Sequence, residues 1–140
     1  MQLIQLVYVS AYVNQYVLDL PKLMEKTALA NDDNGVLGMT LFSNGNIMQL
    51  LEGRSQDVQS IFQKLQNHAH QWNVFETLRR PMEDLSQSET SIGFDTHSYK
   101  LISKSSSGIA LFRLNANEVN QRLKDSPAKA LMLQFAADHW

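Results

Sequence analysis

Three side chains, Tyr8, Asn31 and Gln49, stand out as groups that could recognise a polar ligand. A phenol donates or accepts a hydrogen bond, and a carboxamide does both at once. If the three side chains line one pocket, they suit a planar heterocycle whose edge alternates N–H and C=O groups. The helices and strands that carry them must therefore bring them to one side of a sheet.

Gln49 lies within the apolar run of residues 47–53, which has the composition of a buried strand. Side chains alternate in direction along a strand, so Gln49 shares a face with Ile47 and Leu51. A buried amide without partners costs roughly 1 to 3 kcal/mol. Gln49 is therefore expected to meet a polar neighbour or a bound ligand. A structural glutamine bonded to the backbone is the alternative.

A hairpin is predicted around Asn44 and Gly45, which lie between residues 36–43 and 46–53. Asn-Gly favours the primed two-residue turn that matches the twist of paired strands. Residues 3–10 also alternate, and Tyr8 shares one face with Ile4 and Leu6. Both faces of this segment are largely apolar, which predicts a strand in the interior of the sheet.

Two helices are predicted to flank the hairpin. The first follows Asp19 as a plausible cap, and its stripe ends in Thr27 and Asn31 one turn apart. These two residues are candidates to line a pocket between the helix and the sheet, although a helix end that frays into solvent is the alternative. The second begins near Ser55, and its apolar stripe is Val58, Ile61, Phe62 and Leu65.

Further strands are expected at about residues 74–78 and at residues 90–94, separated by a turn-rich segment at 81–88. The order β-α-β-β-α-β with one more strand predicts an α+β, ferredoxin-like sheet with both helices on one face. Residues 108–114 are apolar but too short to assign.

Two C-terminal helices are expected to cover the second sheet face. Asn115 with Glu118 resembles a capping box, and Ser126 before Pro127 is a cap followed by proline in the first helical position. One stripe of the last helix comprises Ala128, Leu131, Met132, Phe135, Ala136 and His139.

The length, charge and cysteine content of the chain limit the classes of function that it can have. The 140 residues fit one domain, and 12 basic against 14 acidic residues give a net charge of −2 with no basic block. This balance does not favour binding to nucleic acid or membranes. The first basic residue is Lys22, so the apolar N-terminus is interpreted as a strand and not as a signal peptide. Without cysteine, the chain is expected to be cytoplasmic.

Conventional catalysis finds little support in the sequence. The chain has no glycine-rich phosphate loop, no nucleophile elbow and no plausible triad. His68 and His70 are the only close histidine pair, and at a helix end they would point in separate directions. No metal site and no conventional enzyme are therefore expected.

Several motifs together resemble the BLUF domain, the flavin-binding blue-light sensor module. They are Tyr8-Val9-Ser10, the helix end from Thr27 to Asn31, Asn34-Gly35-Val36-Leu37-Gly38 and Met48-Gln49-Leu50-Leu51-Glu52-Gly53. The resemblance covers about residues 1–95. It implies a flavin-binding domain there, with residues 96–140 as a C-terminal helical extension packed on the same domain.

The resemblance also implies the roles of individual residues. Asn31 would hold the pyrimidine edge of the flavin ring, supported by Thr27, and Gln49 would bridge Tyr8 to the N5/O4 edge. Tyr8 would give an electron and then a proton through the amide of Gln49. A rotated or tautomerised amide would then shift the flavin absorption to the red.

The implied cofactor is FAD, with FMN and riboflavin as alternatives, and the implied partner is a downstream protein that the sequence does not identify. Homo-oligomerisation is left open. A BLUF-fold interaction module that has lost flavin is the competing interpretation, and a conventional enzyme comes third.

The sequence departs from the family at two places. Residues 68–71 read His-Ala-His-Gln where the family commonly has an acidic residue followed by Arg-His, so His70 would replace the basic contact to the ribityl-phosphate side. Residues 90–94 read Thr-Ser-Ile-Gly-Phe where Trp-Ser-Met-Gly-Phe is common. Thr90 and Ile92 are therefore expected to carry signal output, by packing from Gln49 through Ile92 to Leu131, Met132 and Phe135.

Overall fold

The computed structural model describes residues 2–11, 35–43, 46–66, 72–94 and 110–138. The described strands are β1 Leu3–Ala11, β2 Leu37–Ser43, β3 Asn46–Arg54, β4 Trp72–Met82, β5 Ser91–Phe94 and β6 Ala110–Arg113. The described helices are α1 Ser55–Gln66, α2 Ala116–Arg122 and α3 Pro127–Asp138. In this part of the chain no helix has the length and apolar character needed to cross a membrane.

The strands form one six-stranded sheet in the order β4-β1-β3-β2-β5-β6. The pairs β1–β3, β1–β4 and β2–β3 are antiparallel, whereas β2–β5 and β5–β6 are parallel. The predicted α+β, ferredoxin-like sheet with an added strand is confirmed, whereas the first of the two predicted helices lies outside the described residues. Strand β6 is a further addition within the segment that the sequence left unassigned, because four residues are too few to show alternation.

The hairpin that carries Gln49 has the predicted register. Ser43 pairs with Asn46, so two residues connect β2 to β3, and Thr40 pairs with Gln49. Asn44 and Gly45, the predicted turn residues, lie outside the described residues. Strand β3 lies between β1 and β2, which places Gln49 in the middle of the sheet.

Strand β4 is longer than the sequence indicated. The prediction that the turn-rich segment begins at Pro81 is wrong, because β4 continues to Met82 with Pro81 paired to Ile4. Proline lacks an N–H and is tolerated in a sheet on an edge strand. Strand β4 is such an edge strand, because it has β1 as its only neighbour in the described sheet.

Each face of the sheet carries its own hydrophobic cluster. The cluster beneath α1 comprises Ile4, Leu6, Tyr8, Val36, Leu51, Val58, Ile61 and Phe62. The cluster beneath the C-terminal helices comprises Val7, Met39, Leu41, Met48, Leu50, Phe112, Leu114, Val119, Leu123, Ala128, Met132, Phe135 and Ala136. The expectation that the last helix docks on the second face is confirmed.

The C-terminal helices begin where their caps predicted. The Asn115 side chain accepts a hydrogen bond from the Glu118 backbone N–H at 2.9 Å, and Ser126 Oγ accepts one from the Lys129 N–H at 3.1 Å. A polar side chain at this position satisfies one of the unpaired N–H groups of the first turn. The Glu118 carboxylate accepts from Arg122 one turn later, at 3.1 Å.

The junction of β5 and β6 depends on a residue without a side chain. A Cβ atom at Gly93 would lie 2.6 Å from the ring of Phe112 and 3.1 Å from Leu41. Glycine therefore lets the Phe112 ring lie against β5, and the guanidinium of Arg122 lies 4.5 Å from the centre of that ring. Since Leu41 and Phe112 both belong to the cluster beneath α3, Gly93 faces α3 and its neighbour Ile92 faces the side of α1.

Candidate functional site

Tyr8 lies on the α1 face of β1 and is fully buried. Its ring packs against Phe62 of α1, with 5.2 Å between ring centroids and a tilt of 54°. The phenol O–H donates a hydrogen bond to Oε1 of Gln49, the residue directly opposite on β3. Strand pairing and helix packing thus orient the phenol towards the amide.

Gln49 has one satisfied end and one unsatisfied end. Its side chain is 3% exposed, and within the part of the chain that the structure describes its Nε2 has no hydrogen-bond partner. A buried donor without a partner costs about 1 to 3 kcal/mol, so Nε2 is expected to donate to an acceptor other than the described residues. An amide that accepts at Oε1 and can donate at Nε2 can pass a proton from the phenol to whatever lies beyond it.

Two further buried hydroxyls on the same face have no hydrogen-bond partner among the described residues. Thr40 lies beside Gln49 on β2, and Ser10 lies two residues beyond Tyr8 on β1. We call Tyr8, Ser10, Thr40 and Gln49 the polar site. An apolar face with several unsatisfied polar atoms fits a flat ring system that carries hydrogen-bonding groups at its edge.

The structure brings together two of the predicted site residues, Tyr8 and Gln49. The other three predicted contacts, Thr27, Asn31 and His70, lie outside the described residues. The alternative in which Gln49 bonds only to the backbone does not fit, because its Oε1 accepts from a side chain.

The predicted output residues lie at the start of β5. Thr90 accepts a hydrogen bond from the Gly38 backbone N–H at 3.4 Å, which ties the entry of β5 to β2. Ile92 pairs with Thr40 and is buried on the α1 face. Direct packing from Ile92 to Leu131, Met132 and Phe135 is a wrong prediction, because α3 covers the opposite face.

Sequence reasoning missed Thr40 and did not connect Phe62 with Tyr8. Thr40 could have been predicted from the sequence, since a two-residue turn fixes the register of the hairpin and places residue 40 opposite residue 49. The contact between Phe62 and Tyr8 joins α1 to β1 across a long sequence separation, and periodicity within each segment does not predict it.

Strand β3 also carries a buried acidic residue on the opposite face, three positions after Gln49. Glu52 is fully buried and accepts from Gln5 Nε2 at 2.6 Å, from the Ser86 N–H at 2.9 Å and from the Ser86 hydroxyl. Gln5 Nε2 also lies 3.4 Å from Ser126 Oγ, the cap of α3, and Gln5 Oε1 accepts from Arg80 at 3.1 Å. We call these five residues the Glu52 network. It connects the strand of Gln49 to the start of α3.

Solved structures share this fold. BlrP1 from Klebsiella pneumoniae, solved as a manganese and cy-diGMP complex at pH 9.0, has a TM-score of 0.75 and 21% identity, covering 97% of this chain and 33% of that chain. The structure described as BlrP1 BLUF has a TM-score of 0.71 and 19% identity, covering 99% and 90%. BlsA in its photo-activated state has a TM-score of 0.56 and 21% identity, covering 72% and 76%.

The chain thus spans about a third of the longer BlrP1 chain. Among curated protein sequences, none matches it. The family model BLUF, sensors of blue-light using FAD, matches residues 3–93, which is more than half of the chain. Both Tyr8 and Gln49 fall within the matched residues, and the chain belongs to the BLUF family of flavin-binding blue-light sensors.

Proposed function

We propose that this protein is a blue-light receptor in which Tyr8 and Gln49 convert light absorbed by a noncovalently bound flavin into a change of hydrogen bonding. Residues 1–95 would form the flavin-binding part, and residues 96–140 would form the extension that passes the signal to a partner protein. The observation that carries the proposal is the bond from the Tyr8 hydroxyl to Gln49 Oε1, with Gln49 Nε2 unpaired on the other side among the described residues.

When bound, the flavin supplies a blue-absorbing group that is a strong oxidant in its excited state. Tyr8 would give its electron to the excited flavin and its O–H proton to Gln49 Oε1, while Gln49 Nε2 would release one proton towards the flavin. Return of the electron and of one proton by the same path would restore the composition of Tyr8 and Gln49. The amide of Gln49 is left rotated or tautomerised, which is the stored signal.

The residues that would hold the flavin come from several elements. Asn31 and Thr27 would bind the ring, Gln49 and Tyr8 would form its hydrogen-bonded edge, and His70 would contact the ribityl-phosphate side. FAD is the proposed cofactor, with FMN and riboflavin as the other candidates. The donor of Gln49, which is unsatisfied by any described residue, favours retention of a cofactor over an interaction module that has lost it.

Loss of the Asn31 amide is expected to weaken flavin binding. Protein freed of flavin is titrated separately with FAD, FMN and riboflavin, and the quenching of flavin fluorescence is followed. We expect one flavin per chain for the wild type and a Kd raised about tenfold or more in Asn31→Ala, because ring donors and acceptors would lose their partner.

Asn120→Ala is the matched control, since it removes the same amide from an exposed position on α2. Its Kd should equal that of the wild type. A wild-type protein that takes up none of the three flavins would instead support the interaction module. An unchanged Kd in Asn31→Ala would remove Asn31 from the site.

The signal is proposed to leave through the extension. One structural neighbour, with a TM-score of 0.56 and 18% identity, is described as a bacterial light-regulated adenylyl cyclase, and this chain covers 34% of it. That protein is a much longer chain than this one, and its description is that of an enzyme regulated by light. By analogy, we propose a protein partner for this chain. Thr90 and Ile92 would pass the signal on the α1 side of the sheet, and the Glu52 network would connect β3 to the C-terminal helices on the other side.

A further inference from the structure

We propose that Thr40 is the positioning residue that holds the amide of Gln49 in its light-adapted arrangement and so sets the lifetime of that state. The inference rests on the proposed function and concerns a residue on β2 that the sequence analysis did not select. The first observation is burial, since Thr40 is 6% exposed and its hydroxyl has no hydrogen-bond partner in the described ranges.

Register places Thr40 beside the group that rearranges. Thr40 pairs with Gln49 across β2 and β3, and Tyr8 pairs with Gln49 from the other side across β1 and β3. Directly opposed residues on one face have Cβ atoms about 4.5 to 5.5 Å apart, within reach of a hydroxyl and a long amide. Gln49 therefore lies between a phenol and a hydroxyl on neighbouring strands.

The bond between Thr40 and Gln49 is not formed in this structure. Oε1 of Gln49 accepts from Tyr8, and neither Nε2 of Gln49 nor Oγ1 of Thr40 has a partner among the residues that the structure describes. The other strand beside Thr40 offers Ile92, which has no polar atom in its side chain. Of the two cross-strand neighbours of Thr40, only Gln49 can bond to it through a side chain.

Rearrangement of the Gln49 amide gives the Thr40 hydroxyl a possible hydrogen-bond acceptor. Rotation by half a turn exchanges Oε1 and Nε2, so Oε1 leaves the phenol and needs a new donor. A hydroxyl can donate or accept as required. In the dark arrangement Nε2 would donate to the edge of the bound flavin and would need no partner on β2. After the half-turn, Oε1 holds that position without a donor, and a rotation about χ1 of Thr40 would bring its hydroxyl to donate to Oε1. This hydrogen bond would slow the return of the amide to the dark arrangement.

The test compares Thr40→Val, which keeps the shape and removes the hydroxyl, with Thr40→Ser, which keeps the hydroxyl. In flavin-loaded protein after a light pulse, Thr40→Val is expected to recover about fivefold faster than the wild type, the factor that one ordinary hydrogen bond contributes. Thr40→Ser should recover at nearly the wild-type rate. Ser43→Ala removes another buried hydroxyl of β2, on the opposite face, that has no partner in the described segments, and this variant should leave recovery unchanged.

Two further readouts separate this role from a structural one. In infrared difference spectra of protein labelled with 13C-glutamine, the carbonyl band of the light state should lie at higher frequency in Thr40→Val, because an accepted hydrogen bond has been lost. In flavin-free protein, Thr40→Val should have a Tm equal to or above that of the wild type, because the removed hydroxyl has no partner within the described part of the chain.

Recovery of Thr40→Val at the wild-type rate, or a lowered Tm without flavin, would overturn the inference while the proposed function stands. A wild-type protein that binds flavin but shows no red shift would overturn the proposed function and this inference together.

Discussion

Tyr8→Phe is expected to leave flavin bound and to reduce the light-induced red-shifted state to an undetectable level. The substitution removes the hydroxyl that donates to Gln49 Oε1 but keeps the ring that packs against Phe62. Binding therefore survives, while the donor of the proton and the start of the relay are lost. Light-minus-dark absorption of the loaded variant measures the effect.

Two companion variants sharpen this result. Gln49→Leu keeps the approximate size of the side chain and removes both ends of the relay, so it should also bind flavin without forming the shifted state. Tyr99→Phe removes a phenol hydroxyl from outside the family match and should behave as the wild type. A full and long-lived shift in Tyr8→Phe would mean that another donor, such as Tyr12 or Trp72, is acting.

Glu52→Ala is expected to lower the free energy of unfolding by about 3 to 5 kcal/mol. The substitution leaves Gln5 Nε2, the Ser86 N–H and the Ser86 hydroxyl without the acceptor that they share. Each buried donor left unsatisfied costs about 1 to 3 kcal/mol. Total stabilities of about 5 to 15 kcal/mol are usual, so the loss is a large fraction. Urea unfolding of flavin-free protein measures it.

Glu76→Ala is the control for the Glu52 network. Glu76 forms an exposed ion pair with Arg79 at 2.7 Å, and such pairs contribute about 0 to 1 kcal/mol. Its free energy of unfolding should change by no more than that. If Glu52→Ala unfolds with the same midpoint and slope as Glu76→Ala, the network does not hold β3 to α3.

Much of the fold follows from local pattern. Alternation on β1 and β3 and the caps at Asn115 and Ser126 predicted elements that the structure contains, and the predicted pairing of β2 with β3 is present in the expected register. The sequence did not assign β6, whose four residues gain their strand geometry from pairing with β5. It also ended β4 too early, because the tolerance of a strand for Pro81 depends on its edge position, a property of the assembled sheet.

The sequence predicted the part of the candidate site in which a polar side chain lies on an apolar, buried strand. A glutamine within an apolar strand indicated an unusual partner, and Tyr8 is that partner. The predicted route from Ile92 to α3 is wrong because the parallel pairing of β5 with β2 puts Ile92 on the face of Thr40, opposite α3. The sequence did not predict the Glu52 network, because its members come from β1, β3, β4, the segment after β4 and the start of α3, which meet only in the folded chain.

The central claim is that Gln49 rearranges its hydrogen bonds when flavin bound beside it absorbs light. Its most direct test is the light-minus-dark difference absorption spectrum of flavin-loaded wild-type protein, recorded during blue illumination and through recovery in the dark. We predict a small red shift of the flavin bands that reverses fully in the dark, with the flavin still oxidised and released intact on denaturation. A spectrum that stays unchanged under illumination, from protein with one flavin per chain, would contradict the account.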